Sequence, residues 1–470
     1  MVRTRNGAGR QSHLKPGLSE TQRLMSMSPH VVVIGAGVAG LAAARHLRAA
    51  GTQVTLIERG AVVGGRVRTV EVEGCRIELG AEFLASFYAR TLALISELGL
   101  THELCRIPRS AAILRDGRLY PLWPSPLVAF TALITTRQKL TLASFVGTLV
   151  RHRSLLDLHA FQHASPIDDA SVSAYARACL SEELLEYVLQ PPLAGIFYWT
   201  PEQTSRALLL IALWAGLRQL TGLRLFTLRG GLGQLAAALA KGLAPLLHTE
   251  VLTVTPRAEG GYRVQAHRGG EALTFAADGV VVATTATAVP QLLPWLDHAR
   301  RAFFTAVAYS ATVNLAVGTT GRLPQSIYGL LFPRRETPFL ASATVQTAKD
   351  PSFAPPGRDA ICLHLSGPAT VALRQYDDAT LARLMLADLR RLVPAYDPVP
   401  TLRFQRLDRC LEALPYFDVG HFGRLAHFAR GNIEPDRLVF AGDYLGGPFV
   451  EGAILSGEQA ATRLLARLKR

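Results

Sequence analysis

The sequence predicts an α/β protein in which a parallel-sheet domain is assembled from separate parts of the chain, around a discontinuous α+β domain. Three observations predict this fold class. A strand, a glycine turn, a helix and a second strand follow one another in residues 30–58, and another strand meets a glycine-rich turn in residues 437–461. Between these ends, residues 90–222 are mostly helical in pattern, whereas residues 290–430 read as strands with turns and one helix.

The length and composition describe a globular protein with two domains. A chain of 470 residues is too long for one ordinary core, and 49% of its residues are apolar. Its formal charge is +14, but the arginines are scattered in ones and twos, and no basic block contains interleaved aromatic residues. We therefore expect no nucleic-acid partner, and we interpret the charge as favouring at most a weak contact with lipid headgroups.

The cysteines and the N-terminal segment bear on the cellular location. The five cysteines are far apart and form no CxxC pair, which indicates reduced thiols in a cytoplasmic protein and no metal site. Residues 1–29 are basic and lack the apolar stretch of a secretory signal, so we expect a disordered tail, with Met25 or Met27 as an alternative start. No run reaches the roughly 18 apolar residues that a spanning helix needs, so any membrane contact would be peripheral, at the inner face.

The first strand–turn–helix–strand unit carries the pattern of a dinucleotide-binding site. Gly35, Gly37 and Gly40 form G-x-G-x-x-G between a β-branched strand and an alanine-rich helix. Such glycines permit a tight turn and the close approach of a pyrophosphate, whose charge the helix N-terminus attracts. Glu58, at the end of the second strand, can accept hydrogen bonds from an adenosine ribose. A purely structural βαβ unit is the alternative.

A second glycine pair follows this unit. Gly64 and Gly65 let the chain bend close to a ligand, and Arg66 and Arg68 offer guanidinium groups to phosphate oxygens. Taken alone, the segment is typical of an arginine-rich surface turn. Its position after the ribose acid favours the ligand-binding interpretation, although these residues do not distinguish NAD from FAD.

The C-terminal segment supplies the remaining motif. A strand at residues 438–441 meets Gly442 and Asp443, and a small-residue helix that starts near Val450 contains Ala453. No His, Cys or Ser nucleophile accompanies the acid.

Together these segments resemble the flavin-dependent superfamily that includes monoamine and polyamine oxidases, protoporphyrinogen oxidases and carotenoid desaturases. That superfamily combines GxGxxG, the ribose acid and GGR-x-x-T with a final Gly-Asp or Gly-Glu and a G-A-x-x-S-G helix, here residues 452–457. The resemblance implies a Rossmann-like FAD-binding domain of the glutathione-reductase type. Its three parts would be residues 30–89, 223–289 and 431–470, with a helical insert at 90–222 and a β-rich substrate domain at 290–430.

The resemblance also implies where FAD is bound. Asp443 would lie near the ribityl–pyrophosphate portion, and the helix starting near Val450 would point at the pyrimidine edge of the isoalloxazine, where its dipole stabilises reduced flavin. Val251 would contact the adenine through its backbone, with core packing as an equal alternative. The implied cofactor-binding residues are Gly35, Gly37, Ala39, Gly40, Glu58, Arg59, Gly64, Gly65, Arg66, Gly80, Ala81, Glu82, Val251, Gly442, Asp443, Val450 and Ala453.

Three segments resemble the protoporphyrinogen oxidase branch, at residues 189–205, 329–351 and 407–428. The segment Ala81-Glu82-Phe83 departs from that branch, because it lacks the usual proline and resembles amine oxidases and desaturases. Amine oxidases usually carry a lysine on a substrate-sheet strand near the flavin. Here the only lysine between Lys241 and Lys469 is Lys349, in a loop-like segment, which argues against amine oxidation.

We expect an FAD-dependent oxidoreductase that removes a hydride from a C–H of a hydrophobic, conjugated or cyclic substrate. The hydride would pass to flavin N5, with O2 or another acceptor reoxidising the flavin. Porphyrinogen oxidation is the first choice. Isoprenoid desaturation, amine oxidation and flavin binding without turnover are the alternatives.

No catalytic acid or base is assigned, because the cofactor carries the chemistry. The candidate substrate contacts are Phe83, Tyr416, His421, Tyr444 and Phe449. Packing is the alternative for the aromatic residues, and a turn histidine bonded to backbone is favoured for His421. The apolar segment 121–153 is interpreted as a core or substrate-channel helix pair rather than a monotopic membrane patch, because Thr, Arg and Lys interrupt it.

Overall fold

The computed structural model describes residues 28–108, 111–122, 131–219, 223–430 and 434–470. Nearly all of the predicted N-terminal tail, and residues 123–130 near the start of the apolar segment 121–153, lie outside the described residues.

A four-stranded parallel sheet joins distant parts of the chain. Its strand order is Leu438–Phe440, Gly279–Val282, His30–Ile34 and Gln53–Ile57. The β-branched run in the first of these strands along the chain is buried, as expected for a strand covered on both faces. This arrangement confirms the predicted α/β fold.

Two helices pack together against this sheet. The N-terminal helix (Val38–Ala49) follows the first glycine turn, and the C-terminal helix (Val450–Leu468) ends the chain. They approach closely at Gly457, where an added Cβ would overlap the backbone oxygen of Ala39. The small residues of both helices therefore allow their backbones to touch.

A seven-stranded mixed sheet forms the second large layer. Its strands, in spatial order, are Leu402–Cys410, Thr312–Thr320, Arg358–Leu365, Leu340–Val345, Gly329–Leu331, Ala111–Arg115 and Arg118–Pro121. Neighbouring strands are antiparallel except Gly329–Leu331 and Ala111–Arg115, which are parallel.

The last two strands of that sheet interrupt the otherwise mostly helical residues 90–222. They form a hairpin whose turn residues, Asp116 and Gly117, both have positive φ. Asp-Gly is a strong signal for such a turn, because both positions need left-handed backbone. The hairpin completes a sheet whose other strands begin only at Thr312, 191 positions after Pro121.

The two faces of the seven-stranded sheet differ in polarity. Leu315, in the strand Thr312–Thr320, packs in an apolar core with the helix Asp378–Leu392. Asn314 points the opposite way, and its Nδ2 donates to the backbone oxygen of Glu78 at 3.3 Å. We call this second face the polar face; it carries Asn314, Ser342, Thr344 and His364.

The remaining strands form small antiparallel sheets. They are Thr69–Val72 with Cys75–Glu78, Leu84–Ala85 with Leu225–Leu228 and Leu104–Arg106, and Thr249–Pro256 with Tyr262–Arg268 and Glu271–Ala277. The other described α-helices of at least four residues are Ala89–Glu97, Thr136–His152, Val172–Cys179, Gln190–Phe197, Arg206–Leu217, Gly233–Ala240, Val289–Leu292, His298–Thr305, Gly367–Ala372, His421–Arg430 and Asp443–Gly446. Among the described helices, none combines the length and apolarity needed to cross a membrane.

Candidate functional site

The first glycine turn has no room for a side chain at Gly35 or Gly40, but it does at Gly37. An added Cβ at Gly35, whose φ is +99°, would lie 2.6 Å from the backbone oxygen of Ala283. One at Gly40 would overlap the oxygen of Gly35, whereas one at Gly37 would meet nothing within 4 Å. The open side of the turn therefore lies at Gly37, at the start of the N-terminal helix, which no side chain caps.

The second glycine turn lies beside the first. Gly64 donates its N–H to the backbone oxygen of Ala36 at 2.8 Å and forms a bridge with Gly37. An added Cβ at Gly65 would lie 3.4 Å from the Cα of Gly37. The two motifs predicted from sequence thus form one glycine-lined cradle.

The predicted ribose acid lies at the edge of this cradle. The Glu58 carboxylate accepts N–H bonds from Ala36 and Gly60, each at 2.7 Å. The strand that contains Val251 begins beside it, since Thr249 donates to the backbone oxygen of Glu58 at 2.9 Å. Arg59 follows and is exposed. The structure thus brings the predicted ribose and adenine contacts to one place.

Arg66 and Asp443 form a bidentate ion pair across the site. The Nη2–Oδ1 and Nη1–Oδ2 distances are 2.9 and 2.7 Å, and Arg66 also donates to the backbone oxygen of Ala413 at 2.9 Å. Burial lowers the pKa of Arg66, but the Asp443 carboxylate and Tyr309 outweigh it and hold that pKa above its ordinary value. The pair joins positions 377 residues apart.

Three features of the cradle fit the diphosphate of a dinucleotide. Gly37 opens onto free space beside an uncapped helix N-terminus. The Nε of Arg68 is buried without a hydrogen-bond partner among the described residues. Phe449 likewise places no side-chain cap on the C-terminal helix at Val450. Unpaired N–H groups and a guanidinium are the donors that phosphate oxygens need.

The segment after Glu78 runs along the cradle. Ala81 donates to the backbone oxygen of Arg66 at 2.9 Å, and a Cβ at Gly80 would overlap that oxygen. Glu78 is buried and accepts bonds from the N–H of Leu232 at 2.8 Å and the hydroxyl of Thr69 at 2.7 Å. Burial raises the pKa of Glu78 to about 7. Sequence analysis did not single out this acid.

Glu82 and Lys349 form a buried ion pair where this segment meets the polar face. The Lys349 ammonium contacts Glu82 Oε2, and Tyr328 donates to the same oxygen at 3.4 Å. Thr344 donates to Oε1 at 3.4 Å, and His364 Nε2 lies 3.7 Å from it. Lys349 does follow a strand, in a turn, as its loop-like sequence indicates, but its side chain returns to the site.

An aromatic group lies beside the start of the C-terminal helix. Phe197 stacks on Trp199 with a centroid distance of 4.6 Å and an interplanar angle of 13°. Tyr416 lies 6.1 Å from Trp199, and Phe449 lies 5.8 Å from Phe197. Two predicted substrate contacts, Tyr416 and Phe449, therefore belong to one group. Phe83 lies apart from it, half-buried against the apolar core of the seven-stranded sheet.

His421 and Tyr444 are placed as the alternatives to substrate contact predict, with His421 bonded to backbone and Tyr444 packed in the interior. His421 is fully buried, and its Nε2 lies 3.1 Å from the backbone oxygen of Tyr444. Burial lowers the pKa of His421 to about 3, so its ring is neutral. The Tyr444 ring is fully buried and lies 6.2 Å from that of Phe304. Both side chains are fully buried, and the Tyr444 hydroxyl has no hydrogen-bond partner among the described residues.

The chain is similar to one known protein family over nearly its whole length. The profile described as flavin-containing amine oxidoreductase matches residues 38–465. The coproporphyrinogen III oxidase of Bacillus subtilis (strain 168) is 24% identical over 90% of this chain and 94% of its own length. The protoporphyrinogen oxidase of Bos taurus is 28% identical over 93% and 99%, respectively. The structure of cyclohexylamine oxidase from Brevibacterium oxydans IH-35A has a TM-score of 0.73 at 17% identity, covering 94% of this chain and all of that one.

Proposed function

The chain belongs to the family of flavin-containing amine oxidoreductases, and from this membership we propose that it oxidises a porphyrinogen, a hydrophobic cyclic tetrapyrrole. It is an oxidoreductase whose cofactor is FAD. The observation that carries the choice of substrate is the similarity, over at least 90% of this chain, to two relatives that are named for porphyrinogens.

We assign the FAD-binding domain to residues 30–89, 223–289 and 431–470, and the substrate side to the insert 90–222 and the β-rich part 290–430. The glycine cradle would hold the diphosphate of FAD, since it offers open space and unpaired N–H donors. Glu58 would exchange a backbone hydrogen bond for the ribose hydroxyls.

When bound, FAD supplies a two-electron acceptor for a hydride from a substrate C–H. The chain binds and orients the substrate and excludes water from it. Phe197 and Tyr416 belong to an aromatic group that suits a large conjugated ring, because aromatic faces pack well against flat apolar surfaces. The group's position, beside the helix that would face the isoalloxazine, supports its role as the substrate wall.

Anaerobic reduction of the flavin tests this proposal. The FAD-loaded protein would be mixed separately with coproporphyrinogen III, protoporphyrinogen, an isoprenoid polyene precursor and putrescine. We expect a porphyrinogen to bleach the flavin absorbance anaerobically, with no bleaching by the other two classes. Porphyrin fluorescence should appear only after O2 is admitted, because the six-electron oxidation to a porphyrin needs the two-electron flavin to be reoxidised, and it should appear faster than in an enzyme-free control. Bleaching by putrescine or the polyene alone would reassign the substrate. If dithionite reduces the flavin but none of these donors does, the protein binds flavin without turnover.

A further inference from the structure

We propose that Lys349 is a specificity-determining residue: by pairing with Glu82, it removes the negative charge from the polar face and so excludes ammonium substrates. The inference rests on the proposed function only in taking the polar face as the substrate side of the site. It concerns the charge of the ligand and does not depend on which ring system is oxidised.

The two members of this ion pair differ in accessibility. The Lys349 side chain has no accessible surface, whereas the Glu82 side chain retains 11%. The ammonium is enclosed by two aromatic rings, at 5.5 Å from the Tyr328 centroid and 5.4 Å from the Phe353 centroid. A ligand that enters from the accessible side therefore meets the carboxylate first, with the ammonium directly behind it.

The other polar neighbours of Glu82, His364 and Tyr328, are uncharged and do not neutralise its carboxylate. Burial lowers the pKa of His364, so its ring is neutral near neutral pH, although it lies 3.7 Å from Glu82. Burial also raises the pKa of Tyr328 well above its ordinary value, which keeps this phenol a hydrogen-bond donor. Lys349 is thus the cation that balances Glu82.

Two further acids near the polar face are engaged elsewhere. Glu78 accepts its hydrogen bonds from Leu232 and Thr69, on the cofactor side. Asp408, at the edge of the sheet, accepts two bonds from Arg406, at 2.7 and 2.9 Å. Glu82 is therefore the carboxylate that a ligand at the polar face would meet.

The ion pair determines which sign of ligand charge this face accepts. With Lys349 in place, a second cation would compete for an occupied carboxylate and would be repelled by the ammonium behind it. Without Lys349, the carboxylate is left unpaired in a largely buried position, and an alkylammonium ion can satisfy it. Loss of one side chain should therefore convert exclusion into binding.

Binding of three matched aromatic probes tests this inference. Benzylammonium, benzyl alcohol and benzoate differ in charge at nearly constant shape, and the flavin absorbance change of the FAD-loaded protein reports their dissociation constants. In Lys349→Met we expect benzylammonium to bind at least tenfold more tightly than in the parent, with benzyl alcohol unchanged. The Glu82→Gln/Lys349→Met double variant should lose this gain.

Lys349→Gln, which keeps a hydrogen-bond donor beside Glu82, replaces Lys349→Met if that variant does not retain FAD. A reciprocal variant tests the other member of the pair. Glu82→Gln leaves the ammonium without its partner, so benzoate should then bind at least tenfold more tightly than in the parent, and benzylammonium should not. The inference is overturned if the variant that retains FAD shows no such change of sign preference, or if the double variant keeps it. These results are independent of porphyrinogen turnover, whose failure would leave the charge preference intact.

Discussion

At the scale of single residues, two acids in the interior, Glu78 and Glu82, differ in the partners that surround their carboxylates. Glu78 has hydrogen-bond donors and, among the described residues, no ion pair; burial raises its pKa to about 7 against the opposing charge of Lys349. Glu82 has Lys349 against it. The glycine and Glu58 positions were predictable because they lie within one short motif. Glu82 was named, but its partner Lys349 is 267 positions away, and only the three-dimensional register brings the two together.

The raised pKa of Glu78 predicts a stability that falls as the pH rises. In the unfolded chain this acid loses its proton near 4.5, and in the folded protein only near 7. Its stabilising contribution is therefore complete below about pH 4.5 and is lost as the pH passes about 7. Urea unfolding would give the free energy of unfolding of both proteins at about pH 5 and about pH 8. Between these two pH values the parent should lose up to ~3 kcal/mol more than Glu78→Gln. Parallel pH curves for the two proteins would contradict this.

Arg66 and Glu58 should each be needed to hold FAD. In Arg66→Ala the buried Asp443 loses its partner, so we expect about 2 kcal/mol lower stability, together with loss of bound flavin absorbance. Glu58→Ala should lose flavin and about 1 kcal/mol of stability, since it leaves the N–H groups of Gly60 and of the buried Ala36 without their acceptor. The matched control is Glu259→Ala, at an exposed ion pair. Full flavin content in both variants would refute these site assignments.

At the scale of elements, the position of the glycine cradle depends on how closely two helices pack. The C-terminal helix meets the N-terminal helix at Gly457 and Ala39, two residues from Gly37. Both helices were predicted, because their strands, glycines and small residues follow one another along the chain. The hairpin at 111–121 was missed, since its strands are short and pair with a sheet built mostly from later residues.

Gly457→Ala should therefore disturb both stability and FAD binding. The added methyl overlaps the Ala39 oxygen, so the helices must separate, at a cost of about 2 kcal/mol. The cradle moves with them, and we expect weaker FAD binding in a flavin fluorescence titration. Gly147→Ala is the control, because nothing lies within 4 Å of its added methyl and it should stabilise the helix Thr136–His152 by about 0.5–1 kcal/mol. Equal effects of the two substitutions would contradict this explanation.

At the scale of the whole molecule, the candidate site exists only where distant segments converge. Gly37, Ala283 and Asp443 come from three separate parts of the chain, and the parallel sheet holds all three together. This three-part assembly was predictable from the order of its motifs. The polar face of the seven-stranded sheet was not, because it depends on the register between strands and on which face the helix Asp378–Leu392 covers.

We propose that these segments meet at FAD, so FAD should stabilise the folded protein as a whole. A ligand that binds only the folded state raises the free energy of unfolding by RT ln(1 + [FAD]/Kd), which is about 2.7 kcal/mol at a hundredfold excess over Kd. The unfolding temperature of the flavin-free protein should thus rise steadily with added FAD, as followed by tryptophan fluorescence. NAD should not produce this rise, and Glu58→Ala should need more FAD to reach it. An unfolding temperature that does not change with FAD, or that changes equally with NAD, would mean that the converging segments do not form the cofactor site.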